Sequence, residues 1–362
     1  MTAMLASKRA REKPPRLAAE VLAWWDVNRR DLPWRAAPGM VADPYRVWLS
    51  EVLLQQTTVA AATPYFLEFI RRWPDVASLA AAPLGDVMAA FAGLGYYSRA
   101  RNLHACAKAV AARGGQFPQS DGELRALPGL GAYTAAAVAA IAFGARSAPV
   151  DGNVARIYAR LHAVEAPLAK ARAKIAAIAA SEVPEARPGD FAQALMDLGA
   201  IVCRPRNPAC GACPVSARCA ANAAGAPEAY PRKSAKPPRP IRHGVVFFAC
   251  RADGAFLARR RPPEGLLGAT LELPGTAWQV GQSPDPRPHM PFAAAWRAAP
   301  GLVTQAFTHF ELRLEARVAA VPAGFEGVAG ALWIAPDDVA SAGFSSVMRK
   351  AVEHAARQWR GA

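Results

Sequence analysis

No stretch of this chain is apolar for long enough to cross a bilayer as a helix. The longest such run, Tyr133 to Ala142, falls well short of the about 18 residues required and is mostly alanine, so it reads as a core helix. An apolar leader segment is missing too: Lys8, Arg9, Arg11 and Lys13 run into Pro14-Pro15-Arg16, so secretion is not expected. The six cysteines therefore belong to a reducing cytoplasm, where a cysteine cluster holds metal or does chemistry more readily than it forms disulfides. Acids are scarce, with 28 Asp and Glu against 43 Lys and Arg for a net charge of +15. That imbalance points to a polyanionic partner, nucleic acid first and an anionic membrane second. Only 20% of residues are charged and 52% are apolar, which excludes a disordered chain. At 362 residues the chain exceeds what one hydrophobic core normally organises, so two domains are expected.

Strand-like alternation is absent from the first part of the chain. After a basic arm at residues 1–16, which reads as disordered, residues 17–224 read as successive helices punctuated by Arg72-Trp73-Pro74, Ala82-Pro83 and Phe117-Pro118. Residues 225–242 hold five prolines and five basic residues against one acid, the composition of a semi-rigid linker. Over 243–362 the period becomes two. Val245–Ala249 and Phe256–Arg260 flank the Asp253-Gly254 turn, and Phe310 to Arg317 alternates apolar and charged, so a half-buried antiparallel sheet is expected. Ser345 to Arg360 reads as a closing helix, which makes this second domain α+β.

Cys203, Cys210, Cys213 and Cys219 stand in a C-x6-C-x2-C-x5-C run, leaving Cys106 and Cys250 as isolated core thiols. Four thiolates in one loop close around either a tetrahedral zinc or a cubane iron-sulfur cluster. Structural zinc usually shows two Cys-x2-Cys pairs and here there is one, which favours the cluster. Arg204, Arg206 and Arg218 lie among the cysteines, either as a platform for phosphates or as a neutralising shell for the thiolates.

Leu127-Pro128-Gly129-Leu130-Gly131-Ala132-Tyr133 places Gly129 and Gly131 between helical segments, where main-chain N–H groups and a helix N-terminus can meet an anion. This hairpin, the Val150-Asp151-Gly152-Asn153-Val154 segment and the four-cysteine loop together resemble the helix-hairpin-helix DNA glycosylases that carry an iron-sulfur cluster. The resemblance implies an all-α glycosylase domain whose hairpin grips a DNA phosphate, often with a bound cation, and one 4Fe-4S cluster on Cys203, Cys210, Cys213 and Cys219.

Leu32-Pro33-Trp34-Arg35, Trp48 to Thr57 and Gly93-Leu94-Gly95-Tyr96-Tyr97 narrow the resemblance to adenine DNA glycosylases of the MutY type. Where bifunctional relatives offer a lysine nucleophile this chain has Tyr133, and no Lys occurs between Lys108 and Lys170, so a water-using, monofunctional reaction is implied. Breaking a purine N-glycosidic bond needs a proton on the departing base and stabilisation of an oxocarbenium-like sugar, a task for two carboxyl groups of unlike pKa. Glu51, within the apolar run Leu49 to Leu54, is the expected acid toward adenine N7, because desolvation raises its pKa. Asp151, held ionised by backbone N–H groups or Asn153, is the expected stabiliser of the sugar cation, with the ordinary helix cap as its plain alternative. The resemblance assigns Gln56 and Tyr96 to propping the opened duplex, Trp34 and Arg35 to the pocket entrance, and Tyr133 to a hydrogen bond near the sugar or Asp151.

The second domain resembles the Nudix-fold domain of the same glycosylases. A working Nudix hydrolase needs a glutamate-rich helix holding divalent metal, whereas no Glu occurs from Gly275 to Leu302. Phe307-Thr308-His309 resembles the family's Phe-Ser-His loop that probes 8-oxoguanine, the alternative being strand residues on one face. The expectation is a monomeric, nucleoid-associated cytoplasmic enzyme acting on duplex DNA with adenine opposite 8-oxoguanine. An endonuclease III-like lyase, a non-catalytic DNA-binding module and a Nudix hydrolase with a DNA-binding domain are the competing readings.

Overall fold

The computed structural model describes residues 16–95, 97–234, 238–262, 264–322, 325, 327 and 330–360. Most of the expected basic arm, including Lys8 to Lys13, lies outside them, as does Tyr96. The chain divides into two compact units, one within 1–81 and 105–235 and the other within 82–104 and 236–362. No helix among the described residues is long and apolar enough to cross a membrane.

Every regular element among the described residues of the first unit is a helix. The unit is built from α1 (Arg16–Asn28), α2 (Pro44–Leu54), α3 (Val59–Arg72) and α4 (Val76–Ala81). Chain between these and the next elements of the unit forms α5 (Leu84–Ala90) and the start of α6 (Ser98–Ala111), and the division between units falls inside α6. There follow α7 (Asp121–Arg125), α8 (Ala132–Phe143), α9 (Gly152–Leu161), α10 (Leu168–Ser181), α11 (Pro188–Asp197) and α12 (Ala220–Ala223). Breaks fall at the prolines expected to cause them, with Trp73-Pro74 after α3 and Pro83 capping α5, although Pro64 is accommodated inside α3. Asp43 caps α2, accepting from the Tyr45 N–H at 2.8 Å, and Pro44 fills a first-turn position where no N–H is needed.

α8 is alanine-rich for a packing reason. Thr134 to Ala140 are all buried, and a Cβ on Gly189 at the start of α11 would lie 2.5 Å from Ala140 O, so the two backbones touch without side chains between them. A core of Leu17, Val21, Trp25, Ile157, Tyr158, Phe191 and Leu195 joins α1, α9 and α11. The segment expected to be a semi-rigid linker is partly anchored here. Tyr230 is buried, its hydroxyl donates to Glu165, and Arg232 O accepts from Leu168 N at 3.1 Å.

In the second unit β1 (Ile241–Cys250), β2 (Phe256–Arg260), β3 (Leu271–Glu272), β4 (Gln279–Val280), β5 (Arg297–Ala306), β6 (Glu311–Ala320) and β7 (Ala331–Ile334) form one sheet, closed by α13 (Ser346–Arg360). Its order is β3-β2-β1-β6-β5. The β1–β2 hairpin around Asp253-Gly254 pairs antiparallel as expected, as does β5 with β6. The all-antiparallel expectation fails at the centre, where β1 and β6 run parallel from Ile241↔Glu311 to Cys250↔Ala320. Burial explains the difference: Gly244 to Cys250 are covered on both faces, the condition of a parallel strand, and residues 251–310 supply the long connection that parallel pairing requires. α13 lays Val347, Met348, Ala351, Val352 and Ala355 on the buried row Leu312, Leu314, Ala316 and Val318 of β6.

Candidate active site and cluster loop

Glu51 is an acid in a place that acids avoid. It lies in the run Val47 to Leu53 on which every α2 residue is buried, and only 7% of its own surface is exposed. Burial pushes its pKa up to about 7; the charge of Asp151 adds to the rise, while a hydrogen bond with the Tyr133 side chain and the charge of Arg35 oppose it. The Tyr133 hydroxyl is held well above its ordinary value, first by burial and then by Glu51 and Asp151, so it stays a proton donor. Glu51 also forms part of the wall of a cavity of about 830 Å³ shared with Trp34, Arg35, Leu54, Ile141 and Met196. That volume lies in the range of small-molecule sites and exceeds the needs of a single base.

Asp151 caps α9, with Oδ1 accepting from Val154 N at 2.7 Å and Oδ2 from Asn153 Nδ2 at 3.1 Å. Both the cap and the carboxylate-holding hydrogen bonds expected from sequence are therefore present, and the one geometry serves both. Asn153 is fixed from behind: a Cβ on Gly199 would fall 2.5 Å from its Cβ, and its Oδ1 accepts from Arg156 Nη2 at 2.8 Å.

Trp34 and Arg35 border the cavity, and Arg35 is committed to a partner. Asp197 at the end of α11 is fully buried and accepts from Arg35 Nη1 at 2.7 Å, Arg35 Nη2 at 2.8 Å, Arg30 Nε at 2.6 Å and Trp25 Nε1 at 3.0 Å. Several charge-assisted bonds keep its carboxyl below the ordinary range despite burial. Gln56, just past α2, is exposed with φ +59°, a left-handed conformation rare for a residue with a Cβ. At the hairpin, Gly129 has φ +77°, Leu130 is buried as its anchor, and Gly131 begins α8 with no side-chain cap, leaving first-turn N–H groups toward open space.

The four-cysteine loop runs from the π-helical turn Leu198–Val202 through two short 3-10 turns to α12. Burial raises Cys213 to about 11, and the charges of Cys203, Cys219 and Cys210 all act on it, so the four sulfurs form one electrostatic group. Backbone N–H groups of Val215, Ala221 and Asn222 are directed at these sulfurs. Four thiolates with one Cys-x2-Cys pair fit an iron-sulfur group better than one zinc. The nearby positive charge comes from α9, where sequence reasoning did not place it. Arg160 Nη1 donates to Cys203 Sγ at 3.2 Å and to Arg204 O at 2.8 Å, and Arg156 Nε donates to Cys203 O at 2.8 Å. Arg218 instead pairs with Glu20 at 3.1 Å, and Arg204 Nη2 reaches Asn207 O at 2.9 Å. Two arginines four apart on a helix buried from Val154 to Leu161 were the available signal.

In the second unit Phe307 to His309 are the tip of the β5–β6 hairpin rather than strand residues, with Phe307 N donating to Phe310 O at 2.8 Å. Phe307 stacks on Phe310 at 4.7 Å, whereas Thr308 and His309 are exposed. Where a Nudix hydrolase needs its acidic helix, between β4 and β5, the described chain is irregular apart from a three-residue 3-10 turn at Arg287–His289.

Residues 49–182 match the HhH-GPD superfamily of base excision DNA repair proteins, 203–219 the iron-sulfur binding domain of endonuclease III, and 245–354 the NUDIX domain. The backbone superposes on a thermostable thymine-DNA glycosylase with a TM-score of 0.51 and 29% identity, over 57% of this chain and 95% of that one. Fold and site thus define a helix-hairpin-helix base excision DNA glycosylase with an iron-sulfur loop and a Nudix-like domain. The chain is 35% identical to the adenine DNA glycosylase of Homo sapiens over 91% of its own length and 72% of the relative's. With the adenine DNA glycosylase of Mus musculus it shares 43% identity over 56% of this chain and 41% of that one, less than half of that relative's length. The chain belongs to the adenine DNA glycosylase family of base excision repair enzymes.

Proposed function

We propose that this chain excises adenine mispaired with 8-oxoguanine, and adenine opposite guanine, by acid-assisted hydrolysis without a lyase step. The observation that carries this reading is a buried Glu51 with its pKa near 7, bonded to Tyr133, within the field of Asp151 and on the wall of a cavity with room for a base. At neutral pH about half of such a group is protonated, enough to deliver a proton to the departing base while Asp151 opposes the developing sugar cation. Asn153 and the Val154 N–H hold the Asp151 carboxylate in one orientation. Tyr133, in the place of a nucleophilic lysine, keeps its proton and steadies Glu51.

The exposed, left-handed Gln56 fits the task of filling the gap left by a rotated base, a task that Tyr96 shares in this reading. Gly129, Gly131 and the uncapped start of α8 fit a DNA phosphate, with or without a cation. Thr308 and His309 present a hydroxyl and an imidazole to the lesion partner. Cys203, Cys210, Cys213 and Cys219 would hold one 4Fe-4S cluster, which when bound supplies a fixed cross-link for the loop, with Arg160 against its Cys203 ligand. The chain acts as a monomer on duplex DNA in this reading. Incubation with a duplex bearing one adenine opposite 8-oxoguanine, then alkali and strand sizing, tests it: alkali-dependent cleavage at adenine is expected, and nicking without alkali or an intact strand refutes it.

A further inference from the structure

The loop after β2 is held in a conformation that its own side chains resist. Gly265 (φ +82°), Leu267 (φ +57°) and Ala269 (φ +63°) all occupy the left-handed region, and two of them carry a Cβ. Such backbone persists only where its surroundings over-determine it. Three of its carbonyls are each taken by a guanidinium: Leu266 O by Arg261 Nε at 3.1 Å, Ala269 O by Arg260 Nη1 at 2.8 Å and Gly268 O by Arg101 Nη1 at 2.7 Å. Arg260 ends β2 and Arg261 directly follows it. Arg101 comes from α6, far away in sequence, and its bond is the shortest of the three.

The segment that carries Arg101 is a closed piece. His104 Nε2 is hydrogen-bonded to Ala82 O at 2.9 Å, tying the two ends of 82–104, which group with the C-terminal unit. Inside it Arg99 Nη2 donates to Leu94 O at 3.0 Å and Gly95 O at 3.2 Å, with its guanidinium over Phe91 at 5.0 Å. Arg99 therefore clamps the Gly93–Gly95 turn onto α6, and Arg101 two residues later clamps α6 onto the strained loop.

We propose that Arg101 is a positioning residue that fastens the turn leading into Tyr96 to the Nudix-like fold, so that the domain reading the lesion partner also sets the element propping the opened duplex. This rests on the 8-oxoguanine reading above. Arg101 touches no substrate in it and acts through the turn. The charge-assisted bond spans a gap that alanine cannot cross and that the single ammonium of lysine fills without the planar fork.

The test measures single-turnover excision of adenine opposite 8-oxoguanine and opposite guanine by the full-length wild type, Arg101→Ala and Arg101→Lys, with amide hydrogen exchange over 84–101 and 265–270. Arg101→Ala is expected to lower the 8-oxoguanine-to-guanine rate ratio about tenfold, the size of one such bond. Exchange should rise in both segments, and Arg101→Lys should fall between. If the alanine chain does not fold, the lysine variant carries both readouts. A wild-type ratio in both variants, or faster exchange in neither segment, overturns the tie. A wild type without any 8-oxoguanine preference refutes the reading it rests on instead, and exchange alone then decides whether the tie exists.

Discussion

The two ends of this molecule treat their polar residues in opposite ways. In the helical unit the reactive and organising groups are hidden, with Glu51, Asp197, Arg156 and Arg160 all under 9% exposed. In the C-terminal unit the groups of interest, Thr308 and His309, stand at the tip of a hairpin in open solvent. Bond cleavage needs an acid that keeps its proton at neutral pH, and desolvation is the main source of that at Glu51. Reading a partner base needs reach and donors, which burial would remove.

The sharpest way to break this contrast is at the buried acid. Glu51→Gln should lower adenine release by about 100-fold or more while duplex binding survives, and Asp151→Asn should act similarly through the sugar cation. Turnover at the wild-type rate in either variant, by the alkali assay, would remove that carboxylate from the reaction. A smaller effect falls on stability. Arg160→Ala would strand several buried acceptors, including Cys203 Sγ and the Arg204 carbonyl, and should cost about 3 kcal/mol with loss of the visible cluster absorbance. Thermal unfolding and the absorbance of the purified variant measure both.

The pH dependence has a definite sign. Because the folded pKa of Glu51 lies near 7, above its ordinary 4.5, the fold holds the proton more tightly than the unfolded chain does. Wild-type stability should therefore fall as pH rises from about 4.5 to about 7, by up to about 3 kcal/mol, and Glu51→Gln should lack that slope. Excision should instead decline as pH rises through about 7, where the folded acid loses its proton. Denaturant melts and rate profiles from pH 5 to 9 follow the two effects. The smallest change is expected at the exposed end: Thr308→Ala should reduce the preference for 8-oxoguanine over guanine by about tenfold or less, with Tm unchanged.

Much of this contrast is legible in the sequence because local pattern decides it. The switch of period after Arg242, the Asp253-Gly254 hairpin, the closing helix and the cysteine spacing all act over a few residues. An acid inside the run Leu49 to Leu54 announces its own desolvation. What stayed hidden depends on pairings between distant segments. Ten consecutive parallel bridges between β1 and β6 leave no mark on either strand beyond continuous burial of β1. Arg156 and Arg160 look like surface residues of an amphipathic helix until the cysteine loop folds over them. The grouping of 82–104 with the C-terminal unit, where Arg101 meets the Gly268 carbonyl, is a pairing of distant segments that no periodicity encodes.

Gly199 carries a consequence for inherited variation. Any side chain there would collide with Asn153, whose amide steadies the carboxylate of Asp151, and the same glycine carbonyl receives Arg156 Nη2 at 2.7 Å. A substitution at this glycine would thus disturb the hold on Asp151 from outside the pocket, with both carboxyl groups and every cysteine left in place.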